Sequence, residues 1–217
     1  MKSIHPFPAR MAPELVLSAI QSLPKGSVVL DPMCGSGTVL RKSAEEGFES
    51  IGIDLDPLAV LQSEVWTRCW DSGSVERDVE LVCSMAAAYD GSKLPLSIEV
   101  DEETRKFVEF WFSESQISEL SAISKAMDGL NSSRLLKLVL SKLIITKSPL
   151  GSLARDTSHS RPHRVIGDSK ISLLPHFRSA ARRMLKALNP DELKPPSSVQ
   201  LGDARALLLS DGSVDAI

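Results

Sequence analysis

Residues 31–38, Asp-Pro-Met-Cys-Gly-Ser-Gly-Thr, combine a carboxylate with a glycine-bearing turn. The apolar run 28–30 precedes them, and the helix-compatible run 39–46 follows. A strand, a glycine turn and a helix form the layout of a nucleotide-type ligand site, because glycines let the backbone approach the ligand and the helix start offers unpaired N–H groups. The acid at the strand end, Asp31, argues against a pyrophosphate ligand and for one that carries hydroxyls and an ammonium.

A second carboxylate, Asp54, ends the next predicted strand, residues 50–55. It lies 17 residues beyond Gly37, near the spacing at which an acid after a first strand–helix unit binds ribose hydroxyls. Its two oxygens can accept hydrogen bonds from two hydroxyls. Asp56 is predicted to cap the helix that begins at Pro57.

Three segments together carry a resemblance to a known family. The loop D-P-M-C-G-S-G-T is followed by G-I-D-L-D-P, and H-P-F-P-A-R-M-A-P-E-L precedes both at residues 5–15. This combination resembles the cofactor part of bacterial S-adenosylmethionine-dependent DNA amino-methyltransferases (N4-cytosine or N6-adenine type) of restriction–modification. The resemblance covers residues 1–60 and 197–217. It implies an α/β fold with an incomplete, Rossmann-like class I methyltransferase sheet.

The resemblance implies S-adenosylmethionine as cofactor and a role for each part of the site. Asp31 would lie near the methionine ammonium, the loop backbone would face the methionine carboxylate, and Asp54 would bind the ribose. Leu55 would lie against the adenine ring. Asp203 would accept from the adenine amino group, with a helix cap as the alternative role. The implied cofactor contacts are Pro8, Ala9, Arg10, Asp31, Met33, Cys34, Gly35, Ser36, Gly37, Thr38, Asp54, Leu55, Asp203 and Ala204.

The catalytic motif of the resembled enzymes is Asp, Asn or Ser, then Pro-Pro, then an aromatic residue. It holds the target amino group and stacks on the base after that base has left the duplex. The only Pro-Pro pair here, Pro195-Pro196, lacks the aromatic residue and precedes the third predicted strand. No catalytic residue is therefore assigned. The expectation is a fragment of a longer enzyme, or one half that a second polypeptide completes.

The composition is that of an ordinary globular protein: 217 residues, of which 42% are hydrophobic and 24% charged. No apolar run approaches membrane-spanning length, and the N-terminal residues lack the apolar core of a signal peptide. Three cysteines without metal-ligand spacing indicate free thiols in a reducing compartment and no metal site. Together these features predict a cytoplasmic protein with no membrane partner.

The net charge of −3 conceals a basic segment. Residues 134–186 hold 12 Lys and Arg and two acids, a net charge of +10, so the rest of the chain carries −13. This asymmetry predicts contact with a polyanion, here DNA. A loop rich in Ser, Arg and His within the segment offers several kinds of phosphate donor, with a solvated surface loop as the alternative. The predicted DNA contacts are Arg155, Ser160, Arg161, His163 and Arg164.

The rhythm of predicted elements divides the chain. An α/β pattern over residues 1–70 returns at 191–217, which predicts one S-adenosylmethionine-binding domain in two pieces. Residues 71–190 are predicted to be a mainly helical insertion that contains the basic segment. The predicted strands are 27–31, 50–55, 199–201 and 214–217. The first predicted helix starts at residue 13. The others are 37–47, 57–70, 102–112, a helix capped by Ser113, 132–145, 175–188 and 203–209. Residues 74–100 are ambiguous, and residues 146–169 are predicted to be a loop.

Five aromatic side chains lie at helical spacing and are predicted to be core residues, with base-stacking platforms as the alternative. They are Trp66, Trp70, Phe110, Trp111 and Phe112.

Two other functions fit the same sequence. D-P-x-C-G-S-G-T is also typical of tRNA guanine methylases, so an RNA or tRNA base methyltransferase is the first. The second is a non-catalytic nucleic-acid-binding subunit that uses the methyltransferase fold as a scaffold.

Overall fold

The computed structural model describes residues 4–6, 11–89, 101–144, 151–155, 163–164, 171–188 and 197–217. The chain divides into two compact units, residues 1–70 with 187–217, and residues 71–186. In chain order the elements are α1 (Pro13–Ile20), β1 (Val28–Asp31), α2 (Thr38–Glu46), β2 (Glu49–Asp54), α3 (Pro57–Thr67), α4 (Ser72–Ala87), α5 (Glu102–Trp111), α6 (Glu114–Ala126), α7 (Ser133–Ile144), β3 (Ala154–Arg155), β4 (His163–Arg164), α8 (Leu174–Leu188) and β5 (Ser197–Leu201).

The first unit, called the sheet unit below, contains a three-stranded parallel sheet in the order β1–β2–β5. On the other side of β1, Ala216 forms a single parallel bridge with Val29, and the Leu30 N–H donates to the Ala216 carbonyl at 2.8 Å. The strand predicted over residues 214–217 is therefore a single bridge here. The parallel sheet and the long, mainly helical stretch between β2 and β5 confirm the predicted fold class.

An apolar cluster holds α1 to the sheet. Val16 and Ile20 of α1, Val29 of β1 and Phe48 are all buried and pack together. Pro13 occupies the first turn of α1, where its missing N–H leaves no hydrogen bond unmade. Through Val29 the cluster supports β1, the strand from which the glycine loop departs.

Helix α3 begins as predicted and ends earlier than predicted. The Asp56 carboxylate accepts the Leu58 N–H at 2.8 Å, which confirms Asp56 as the helix cap. The helix ends at Thr67 rather than at residue 70, because the backbone of Arg68 is extended. The Arg68 guanidinium lies over the Trp70 ring, 5.0 Å from the centroid of that ring.

The second unit, called the helical unit below, is built mainly of helices α4 to α8. α4 forms from the stretch that was ambiguous in sequence, and it buries Val75, Val79 and Val82 at helical spacing. The prediction that α7 is buried is confirmed, with buried side chains at Leu135, Leu136, Leu138, Val139, Leu140 and Leu143. None of the helices in the described part of the chain is long and apolar enough to cross a membrane.

Side-chain hydrogen bonds fix the start of α6 and the residue before α8 in the helical unit. Ser113 and Gln116 form a complete capping box at the start of α6, as the sequence predicts. Glu119 of α6 accepts the Leu173 N–H at 2.6 Å, which fixes the residue before α8.

The predicted loop at 146–169 contains one short antiparallel ribbon, β3 with β4. The other residues of that loop between 145 and 170, apart from 151–153, lie outside the described residues.

The helix predicted over residues 203–209 is wrong. The Asp203 carbonyl accepts the Ala206 N–H at 2.9 Å, and the chain then continues without helix. The Leu208 side chain is 95% exposed, so this stretch gains no burial that would favour a helix. Short helices are marginal in water unless an apolar face is packed, and local propensity alone does not suffice.

The aromatic residues divide between core and surface. Trp66 is buried, which confirms the core prediction for that residue. Phe110 is 50% exposed, and for it the core prediction is wrong, because α5 buries none of its described side chains. Trp70, Trp111 and Phe112 are half-buried.

Gly37 and Gly47 provide a matched test of how tightly the glycine loop is packed. Both have positive φ, +80° and +85°, so alanine at either position costs about 1–2 kcal/mol of backbone strain. An added Cβ at Gly37 would also lie 2.7 Å from Ser63 Oγ and 3.0 Å from Ser63 Cα, whereas at Gly47 it would meet nothing within 4 Å. Overpacking adds about 1–3 kcal/mol. We expect Gly37→Ala to lower the free energy of unfolding more than Gly47→Ala in urea titrations. Equal losses would contradict the close packing of the loop on α3.

Candidate functional site

Three acidic residues lie at one edge of the sheet. In the parallel register Asp31 is opposite Gly52, and Asp54 is opposite Leu201, so β1, β2 and β5 end at the same edge. Asp203 follows β5 after one residue. Ligands of open parallel α/β sheets bind outside the carboxyl ends of the strands. This edge is therefore the place where the sheet unit would hold a ligand.

The Asp54 carboxylate braces the glycine loop. Its Oδ2 accepts the Gly35 N–H at 2.8 Å, and its Oδ1 accepts the Asp56 N–H at 2.9 Å. An ionised carboxylate has about four acceptor sites. The two described bonds leave about two sites for further donors, which suits a pair of neighbouring hydroxyls.

The loop is fixed on both sides by backbone contacts. The Cys34 N–H donates to the Ile53 carbonyl at 2.9 Å, and the Gly37 N–H donates to the Cys34 carbonyl at 2.8 Å. Gly35 and Gly37 have φ of 50° and 80°, the left-handed region that glycine adopts without Cβ strain. α2 then begins at Thr38 with no side-chain cap. Ser36 and Thr38, both buried, place their hydroxyl oxygens 3.5 Å apart.

Asp31 is a carboxylate in an unfavourable setting. Burial raises the pKa of Asp31, the hydrogen bond from the Met33 N–H partly offsets this, and the Asp54 charge raises the pKa further. Two carboxylates at one edge favour a cationic group between or beside them. An ammonium is a ligand group that would relieve this cost.

Cys34 is a packing residue of the loop. Its side chain is buried, and its thiol lies 3.6 Å from Ser63 Oγ. Burial raises the pKa of Cys34 to about 11, the Ser63 hydrogen bond works against this, and the charges of Asp31 and Asp54 add to the rise. Because the thiolate is the nucleophilic form, Cys34 is poorly suited to covalent chemistry near neutral pH.

Apolar side chains stand beside the carboxylates. Met33 is 75% exposed and Leu55 is 66% exposed, although both belong to the tight turns that follow β1 and β2. Exposed single apolar residues are common on protein surfaces. Their position next to Asp31 and Asp54 would allow them to cover a flat apolar ring.

Asp203 is engaged by a neighbour. The Arg205 guanidinium contacts both carboxylate oxygens, with Nη2 at 2.6 Å from Oδ2 and Nε at 3.0 Å from Oδ1, and the Arg205 N–H also donates to Oδ1. These side-chain contacts, followed by the backbone bond, lower the pKa of Asp203. No helix follows Asp203, so the helix-cap alternative is wrong. A ligand amino group would have to displace Arg205 to reach this carboxylate, while Ala204 lies half-buried beside it.

The remaining predicted contacts lie in less completely described parts of the chain. His163 and Arg164 are exposed and form β4, which pairs with β3 through Arg155. The side chain of Arg155 lies outside the described residues, as do all of Pro8, Ala9, Arg10, Ser160 and Arg161. Across the described ranges, no group of three or more His, Cys, Asp and Glu residues is placed to hold a metal ion.

Two residues of the site carry no sequence signal for their role. The Ser63 hydroxyl donates to the Gly35 carbonyl at 2.9 Å, although 28 residues separate them. Gly52 faces Cys34, and an added Cβ would lie 3.2 Å from Cys34 Sγ and would overlap Leu40. Both roles depend on the packing of β2 and α3 on the loop.

Comparison with known proteins relates the sheet unit to methyltransferases. Residues 2–64 match the N6/N4 family described as DNA methylase. The type II methyltransferase M.MjaII of Methanocaldococcus jannaschii is 38% identical over 69 residues, 31% of this chain and 13% of that protein. The type II methyltransferase M.MvaI of Kocuria varians is 29% identical over 132 residues, 57% of this chain and 28% of that protein. A thiopurine S-methyltransferase of Xanthomonas axonopodis is 34% identical over 80 residues, 33% of this chain and 37% of that protein.

These matches confirm the resemblance that the sequence motifs indicate. The aligned segments span between 13% and 37% of the length of these relatives. No solved structure is significantly similar to this chain.

Replacement of Asp31 by Asn tests the electrostatic cost of this carboxylate. Because the folded pKa is raised, folding is opposed once the group ionises, so the wild type loses stability as pH rises from the unfolded pKa through the folded pKa. Asn keeps an oxygen that can accept the Met33 N–H. We expect Asp31→Asn to be more stable than the wild type at pH 7, with a difference that shrinks in acid.

Thermal unfolding measured across pH would follow this difference. Asp211→Asn, at an exposed position of the same unit, is the matched control. The claim that ionised Asp31 destabilises the fold would be contradicted if Asp31→Asn were less stable than the wild type at pH 7. It would also be contradicted if the difference in stability did not vary with pH.

Proposed function

We propose that this chain, whose residues 2–64 match the N6/N4 DNA methylase family, binds S-adenosylmethionine at the carboxyl edge of its sheet. In this proposal it is the cofactor-binding part of an enzyme that methylates an exocyclic amino group of a DNA base. The observation that carries the proposal is the Asp54 carboxylate. It holds the Gly35 and Asp56 N–H groups and still has acceptor sites for two hydroxyls.

The residues at the edge fit the chemical groups of this cofactor. The carboxylates of Asp31 and Asp54 lie at the carboxyl edge of the sheet, and the raised pKa of Asp31 indicates that a cation beside it would be favourable. We assign Asp31 to the ammonium and Asp54 to the ribose. The backbone N–H groups of the glycine loop and the uncapped start of α2 suit the carboxylate, since helix starts attract anions. Leu55 and Met33 would cover the adenine.

Asp203 and Ala204 complete the proposed site with one added condition. The adenine amino group would use Asp203 only after the Arg205 guanidinium has moved from it. The Arg205 side chain is 87% exposed, and solvent-exposed ion pairs contribute little to stability. Exchange of one donor for another at this carboxylate is therefore inexpensive.

The chemistry proposed for the whole enzyme is direct transfer. The cofactor supplies an electrophilic methyl group on a sulfonium. The residues of this chain orient the cofactor, keep its charges paired and present one face of it to the base, so that their effect on rate is through positioning and hydrogen bonding. None of the 217 residues forms the Asp/Asn/Ser-Pro-Pro-aromatic motif of the resembled enzymes. We therefore propose that the groups that hold the target base are not supplied by these residues.

DNA as the partner is supported by the family match of residues 2–64 and by the basic segment within the helical unit. Residues 134–186 carry a net charge of +10 in a chain of net charge −3. Such a segment attracts any nucleic acid. A comparison of duplex DNA with tRNA as ligands separates the DNA methyltransferase from the RNA methyltransferase alternative.

Calorimetry with S-adenosylmethionine tests the cofactor site. Asp54→Asn is the test variant, and Asp56→Asn, two residues away, is the control. Asp54→Asn removes the charge that accepts the hydroxyls, and we expect the affinity to fall roughly 10- to 100-fold, since hydrogen bonds to charged groups contribute about 1.5–3 kcal/mol. Asp56→Asn changes a helix cap, and Asn is an equally good cap, so its affinity should match the wild type.

Binding that is equally strong in both variants would refute the role of Asp54. A folded wild type without affinity for the cofactor would favour the non-catalytic scaffold instead.

Methyl transfer by the purified 217-residue chain is a separate expectation. Incubated with labelled S-adenosylmethionine and duplex DNA, the chain should bind cofactor and transfer no methyl group, because the motif that holds the target base is not among its residues. Robust incorporation of label into DNA would overturn this part of the proposal and leave the cofactor site intact.

A further inference from the structure

We propose that Phe107, Phe110 and Trp111, the aromatic face of α5, form a platform on which unpaired bases of a nucleic acid stack, with Arg164 beside it to contact phosphate. The inference deepens the proposed function, because it rests on a nucleic-acid substrate. It concerns the helical unit and residues that neither the family match nor the predicted cofactor contacts include.

The exposure of this face is the first observation. Helix α5 buries none of its described residues. Phe107 is 58% exposed and Phe110 is 50% exposed, one turn apart on the same side of the helix. Single exposed apolar residues need no explanation, whereas a cluster of exposed aromatic rings marks a contact surface.

The rings are held in a defined arrangement. The Phe110 and Trp111 rings meet edge to face, with centroids 4.8 Å apart and planes at 90°. The Phe107 ring lies 6.3 Å from the Trp111 ring at 54°. The Trp111 carbonyl in turn accepts the Leu153 N–H at 2.7 Å, which ties the end of α5 to the segment before β3. Rings fixed before binding lose little conformational entropy when a partner stacks on them.

A cation accompanies the rings. The Arg164 guanidinium lies 5.6 Å from the centroid of the Phe110 ring, and Arg164 belongs to β4 in the basic segment. Its neighbour His163 is exposed. Aromatic rings beside a guanidinium are the combination with which proteins bind single-stranded nucleic acids, because bases stack on the rings and phosphates follow the cations.

The charges around α5 favour one side of the platform. Lys106 forms an ion pair with Glu102 at 2.7 Å, so it adds little net charge. Glu103 lies one turn before Phe107 on the aromatic side of the helix. Repulsion from Glu103 would keep a phosphate backbone away from the start of α5 and direct it toward Arg164.

A nucleic acid fits this surface better than a protein partner. The described cation over the ring and the net charge of +10 in residues 134–186 complement a polyanion. An unpaired base rather than a duplex is indicated, since a base inside a duplex already stacks on both faces and cannot offer one to a protein ring. The platform would therefore take the unpaired bases of a single strand.

Fluorescence anisotropy with labelled single-stranded and duplex oligonucleotides tests the inference on the full chain. The double variant Phe107→Leu/Phe110→Leu keeps exposed apolar side chains and removes their π faces. We expect its Kd for the single strand to rise roughly 10- to 100-fold, as loss of stacking implies, with a much smaller change for the duplex. Leu81→Ala, at an exposed apolar position of α4 in the same unit, is the control and should bind like the wild type.

Arg164→Gln tests the phosphate contact. It should weaken binding of both oligonucleotides and reduce the slope of log Kd against log salt by about 0.7–0.9, the effect of one lost phosphate contact. Circular dichroism checks that each variant is folded, which the surface position of these residues favours.

The inference is overturned if the wild type binds no oligonucleotide, if the double variant binds the single strand like the wild type, or if Leu81→Ala weakens binding as much. Calorimetry with S-adenosylmethionine on the same proteins keeps the two proposals apart. Cofactor binding without ring-dependent DNA binding refutes only the platform. Ring-dependent DNA binding without cofactor affinity supports the platform and refutes the cofactor site.

Discussion

The carboxylate of Asp54 joins the end of β2 to the glycine loop, and the candidate site is organised around this junction. One oxygen holds the Gly35 N–H and the other holds the Asp56 N–H, so a single side chain sets the path of the loop and of the turn into α3. The Asp54 carbonyl also accepts the Gly202 N–H at 2.9 Å, which places the segment after β5 beside it. A carboxylate that is already aligned by two backbone bonds presents its remaining acceptor sites in a fixed direction.

Close packing behind the loop makes this junction rigid. An added Cβ at Gly37 would lie 2.7 Å from Ser63 Oγ on α3, and one at Gly52 would overlap the end of the Leu40 side chain and lie 3.2 Å from Cys34. The loop can therefore not retreat toward the helices, and its backbone stays available at the sheet edge. Rigidity here has an electrostatic cost, because burial and the nearby Asp54 charge disfavour the ionised form of Asp31. Titratable groups whose pKa values are shifted by burial and by a neighbouring charge are candidates for functional sites.

The two units of the chain present different chemistry. The sheet unit offers carboxylates and a glycine loop at one edge, which suit a small ligand with hydroxyl and ammonium groups. The helical unit offers exposed rings on α5 and, over Phe110, the guanidinium of Arg164, which belongs to the basic segment 134–186. The first arrangement is local to strand ends and short turns. The second needs residues 110 and 164, more than 50 positions apart, to meet in space.

The sequence by itself determined the elements whose signals are local: the strand and glycine turn before Thr38, the Asp56 cap, the Ser113–Gln116 capping box and the buried face of α7. These follow from hydrophobic period, turn residues and side-chain caps, which act within a few residues. Only the tertiary structure decided that residues 203–209 form no helix, that Phe110 is exposed and that Ser63 holds Gly35. Burial and side-chain partners depend on which distant segments pack together, and in this chain no local pattern encodes that choice.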